Sequence, residues 1–91
     1  MRILSIDYGK RRTGLAVTDP SQIIANGLAT VETQDLIKYL KQYVDKEPVE
    51  RFVVGLPTQT NGLPSENQKR VLAFSEKLRK NFPNIPISFY V

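Results

Sequence analysis

A chain of 91 residues, 41% of them hydrophobic, has the composition of one globular domain with a modest core and no room for a second. It contains no cysteine and no histidine, which excludes disulfides, thiolate metal sites and every nucleophile system that works through an imidazole base. The formal charge of +4, from 13 Lys and Arg against 9 Asp and Glu, suits a polyanionic partner such as nucleic acid, and equally an ordinary solvated surface.

The N-terminal run Arg2 to Ile6 predicts a short buried strand, stopped by Asp7-Tyr8-Gly9. The carboxylate breaks the run too early for a signal sequence. No other stretch is long and apolar enough to cross a bilayer, so no membrane partner and a cytoplasmic location are expected. Lys10-Arg11-Arg12 makes a tight basic turn into a second strand, Thr13 to Thr18. That connection is too short for a crossover, so the pair is an antiparallel hairpin. Asp19-Pro20-Ser21 ends it, and a third strand falls within Ile23 to Val31.

Thr33 is placed to cap a helix whose apolar face is Leu36, Ile37, Leu40, Tyr43 and Val44. Pro48 marks the exit, and Arg51 to Gly55 is a compact apolar strand, free to pair in parallel with the first. Leu56 to Pro64 has loop composition. Ser65 and Gln68 fit a capping box before a second helix with the stripe Val71, Phe74, Leu78 and Phe82. Ile85 to Val91 is the last strand. The order β-β-β-α-β-α-β predicts an α/β domain over 1–91: three antiparallel strands, then two parallel ones, with helices on the faces of the mixed sheet.

In such a sheet, ligands gather beyond the carboxyl ends of the parallel strands. The candidates there are Asp7, Gly55 and the loop that opens with Leu56 and Pro57. Asp19 ends an antiparallel strand and belongs roughly 20 Å away, at the opposite edge. Asp35 and Asp45 are expected to face water, and Glu66 to sit in the first turn of the second helix. Asp7 is either a turn residue bonding nearby N–H groups or a ligand for a hard divalent cation. Gly9 permits close backbone approach. Lys10, Arg11 and Arg12 form either a solvated turn or a phosphate-holding patch, which Lys69 and Arg70 could extend.

Ile6-Asp7-Tyr8-Gly9, Arg12, Gly14, Ala16-Val17 and Asp19-Pro20, followed by Val53-Val54-Gly55-Leu56-Pro57 and Asn61-Gly62, resemble the two signature blocks of the YqgF/RuvX-type family. These are Holliday junction resolvase-like and pre-16S rRNA nuclease-like proteins. The resemblance implies a ribonuclease-H-like fold and a three-acid metal site for Mg²⁺ or Mn²⁺. Asp7 matches the first acid. The second lies in an Asp-Glu-Arg segment directly after the last strand, and the third on a later helix. The chain is therefore expected to lack the C-terminal part of that fold and to be inactive in this form. The implied partner is structured RNA or branched DNA, bound by Lys10, Arg11, Arg12, Asn61, Lys69 and Arg70, with Gly9, Gly55, Leu56 and Pro57 shaping the site. The alternative is a non-catalytic nucleic-acid-binding module. A phosphotransferase of the actin, Hsp70 and sugar-kinase class shares the Asp-x-Gly turn but needs two large lobes.

Overall fold

Period-two alternation decides which way the sheet faces. In the first strand, β1 (Arg2–Asp7), Leu4 and Ile6 are fully buried, while Ile3, Ser5 and Asp7 point the other way and are not. The same pattern runs through β2 (Arg12–Thr18), with Thr13, Leu15 and Val17 buried, and through β4 (Val49–Gly55), with Phe52 and Val54 buried. A computed structural model shows this architecture and describes residues 1–19, 21, 25–57 and 66–90.

The five strands lie in the order β3-β2-β1-β4-β5, with β3 at Ala25–Glu32 and β5 at Ile87–Tyr90. β1 pairs antiparallel with β2 and parallel with β4; β2–β3 is antiparallel and β4–β5 parallel. This is the mixed, ribonuclease-H-like sheet that the residue pattern and the resemblance call for. The final strand is shorter than Ile85 to Val91, and Val91 lies outside the described residues, as do Ser65 of the expected capping box and Asn61.

The helices α1 (Leu36–Lys46) and α2 (Glu66–Asn81) pack on one face of the sheet. Leu36 and Leu40 from α1, and Val71, Phe74 and Leu78 from α2, meet Leu4, Ile6, Leu15, Phe52 and Val54 in a single core. Phe82 closes it, edge-on to Phe52 at 5.3 Å between centroids. The opposite face carries Ile3, Ser5, Gly14, Ala16, Val53 and Gly55, none of them buried, and among the described residues no helix covers it.

One expected cap is absent. Thr33 begins a short 3-10 turn, Thr33–Asp35, and its hydroxyl caps nothing. It donates instead to the carbonyl of Gly9 at 2.7 Å, across 24 residues of sequence. Bonds to Gly9 and to the Thr13 hydroxyl, 2.9 Å away, take the place of the local backbone N–H that a cap would accept from.

Candidate active site

Asp7 is the last residue of β1, opposite Gly14 of β2. Because Ile6 is in the core, strand alternation turns Asp7 to the face without helices. Its carboxylate is exposed and makes no ion pair with any described residue. Beside it lies a hollow of about 190 Å³ lined by Asp7, Tyr8, Gly55, Leu56, Pro57, Asn67 and Tyr90. A wider trough of about 430 Å³ runs from Asp7 over Ser5, Gly14, Ala16 and Gly27. Small side chains on β2 and β3 make that trough possible.

The turn after Asp7 is held by one hydroxyl pair. Thr33 donates its only proton to the Gly9 carbonyl, so the buried Thr13 must donate to Thr33 Oγ1, 2.9 Å away. The Thr33 amide donates to the Arg11 carbonyl at 2.8 Å. Gly9 has no alternative: a Cβ there would stand 2.3 Å from the Arg12 carbonyl oxygen. On the other flank, Asn67 in the first turn of α2 donates to the Tyr8 carbonyl at 3.2 Å. The backbone around Asp7 is thus tied to the 3-10 turn before α1 and to the first turn of α2.

Gly55, Leu56 and Pro57 share the hollow with Asp7. Lys10, Arg11 and Arg12 are exposed at the same edge and make no ion pair among the described residues. Lys69 is 3.6 Å from Glu66. Arg70 is not beside Asp7: it lines a groove on the helix side with Tyr8, Lys10 and Lys77.

Sequence reasoning missed Asn67, Tyr90 and Tyr8. Tyr90 could have been found, since parallel pairing puts it beside Gly55, against which its phenol lies. A Cβ on Gly55 would lie 3.4 Å from Tyr90 Oη, in ordinary contact. Tyr8 follows from alternation alone, pointing to the helix side and stacking on Phe74 at 4.7 Å. Nothing in the sequence marks Asn67 as different from any polar residue of a first helical turn.

The other acids stay apart. Asp19 accepts from Ser21 at 2.8 Å, at the far edge, where Thr18 bonds the amide of Ile3. Asp35, Asp45 and Glu66 are exposed. Among the described residues no three His, Cys, Asp or Glu side chains gather in a metal-holding group. Asp7 offers one carboxylate, and a two-ion site needs several to hold its cations about 4 Å apart. Such a cage is not complete within the described residues.

The sequence model of the RuvX family, described as Holliday junction resolvase, matches residues 1–90. Proteins named "Putative pre-16S rRNA nuclease" are similar along nearly the whole chain. That of Phocaeicola vulgatus is 57% identical over 88 residues, covering 97% of this chain and 63% of its own length. That of Parabacteroides distasonis is 53% identical over 89 residues, covering 98% and 64%. The chain thus spans a little under two thirds of these relatives. Among solved structures, a "putative sugar kinase" from Cytophaga hutchinsonii superposes with a TM-score of 0.60 at 20% identity, over 98% of this chain and 35% of its own. Pelota from Archaeoglobus fulgidus gives 0.58 at 9% identity, over 99% and 26%. At these identities the likeness is one of fold.

Proposed function

We propose that this chain, which belongs to the RuvX family, forms the substrate-facing part of a metal-dependent nuclease that acts on pre-16S rRNA. The relatives at 57% and 53% identity carry that substrate in their names; the family description names the Holliday junction instead. The observation that carries the reading is the placement of Asp7. It is an exposed carboxylate at the carboxyl end of the central strand, at the same edge as Lys10, Arg11 and Arg12, and among the described residues none of these four side chains makes an ion pair.

Asp7 is the residue of this chain proposed to hold Mg²⁺ or Mn²⁺, hard cations that take oxygen donors. In phosphodiester hydrolysis such ions activate water and offset phosphate charge. With one carboxylate in place, the 91-residue chain should bind Mn²⁺ weakly and cleave nothing. Paramagnetic broadening by Mn²⁺ should centre on the amides of Asp7, Tyr8 and Gly55 and vanish in Asp7→Asn. Incubation with a pre-16S rRNA fragment or a four-way DNA junction in Mg²⁺ should leave both intact. Cleavage that Asp7→Asn abolishes would show that no further acids are needed, and broadening centred elsewhere would remove Asp7 from the metal site.

The exposed Lys10, Arg11 and Arg12 also suit a second reading, a nucleic-acid-binding module without hydrolytic chemistry. It shares the cationic edge and predicts binding unaffected by Mn²⁺ or by Asp7→Asn.

A further inference from the structure

On the helix side of the sheet, a groove of about 480 Å³ runs between the start of α1 and the first half of α2. Its floor is apolar: Ile37, Phe74 and the Tyr8 ring stacked on Phe74. Every charged residue on its walls is a cation, namely Lys10, Arg70 and Lys77. All three are exposed, and none makes an ion pair among the described residues, whereas the neighbouring Lys69 and Arg79 pair with Glu66 and Glu76. Arg70, Ala73 and Lys77 follow i, i+3, i+7 spacing and form one stripe of α2. The two cations stand about 10 Å apart along the helix axis, and the alanine between them keeps the groove open.

We propose that this groove is a binding track for single-stranded nucleic acid, separate from the Asp7 hollow. Lys10, Arg70 and Lys77 hold the phosphates, and the apolar floor receives a base or sugar. An apolar, partly aromatic floor under a cationic rim is the combination that binds unpaired strands without sequence preference. Asp7 and Tyr8 are successive residues that point to opposite faces of the sheet. A strand lying in the groove and continuing to Asp7 therefore passes over the rim at Tyr8 and Lys10. This rests on the reading of the partner as nucleic acid, and it adds where the strand lies away from the reaction centre.

The test is fluorescence anisotropy of a labelled 12-nucleotide single-stranded RNA with the 91-residue chain across a range of salt. Each phosphate contact to a single strand adds about 0.7 to the salt slope, worth about 5-fold in affinity at 0.1 M salt. Arg70→Ala/Lys77→Ala should thus bind about 25-fold more weakly, with a slope lower by about 1.4. The charge-matched Lys38→Ala/Lys46→Ala, on exposed α1 positions outside the groove, should lose much less. Circular dichroism should show the same thermal midpoint for both double variants. Equal losses in the two would overturn the groove while leaving the nucleic-acid reading intact. Absence of RNA binding by the unmodified chain would overturn both. A 12-residue poly-Glu peptide that displaces the RNA at equal concentration would show a site for acidic chains in general and would overturn the strand assignment. A DNA strand of the same sequence binding equally well supports it.

Discussion

Gly9 is the residue at which the neighbourhood of Asp7 is most easily broken. A methyl group at 2.3 Å from the Arg12 carbonyl oxygen cannot be accommodated, so the turn must move, and the Thr33 hydroxyl loses its acceptor. Gly9→Ala should cost about 1–3 kcal/mol, the range for forced backbone shifts, read as a lower urea midpoint with unchanged slope. Gly14→Ala is the contrast. Its new methyl would meet only the Asp7 Cβ, at 3.8 Å, and stability should change by no more than about 0.5 kcal/mol. The position of Asp7 was legible in the sequence, because parity along a strand follows from which neighbours are apolar. The Thr13, Thr33 and Gly9 linkage was not: Thr33 is 24 residues from its acceptor, and only the assembled sheet brings them together.

At the scale of elements, the apolar stripes carry the fold. Leu78 faces the sheet from the last turn of α2 and is fully buried, so Leu78→Ala should destabilise by about 2–5 kcal/mol, seen in the same urea titration. The stripe Val71, Phe74, Leu78 and Phe82 was readable from its period, and each member is buried. So was the change from antiparallel to parallel pairing, since a four-residue turn and a helical crossover permit only those outcomes. Element ends were less readable. β5 shortens to Ile87–Tyr90, with the Pro86 carbonyl accepting from the Phe52 amide ahead of it. The partition of basic residues was also hidden. Arg70 and Lys69 adjoin in sequence, yet helical rotation sends one to the groove and leaves the other with Glu66.

For the molecule as a whole, the decisive asymmetry is that α1 and α2 share one face of the sheet. The residues on that face are packed to exclusion of solvent, while Ile3, Ala16 and Val53 on the other are only half-buried. A protein native on one side and, among its described residues, without a covering helix on the other should bind the dye ANS at neutral pH, a response ordinarily taken as the mark of a molten globule. Here the near-ultraviolet circular dichroism of its tyrosines should persist, and heating should still give one sharp transition. Fluorescence enhancement accompanied by a flat near-ultraviolet spectrum would mean that the helix side is fluid as well. Bright dye with a rigid aromatic signature would instead mark a folded molecule whose sheet shows solvent one greasy side.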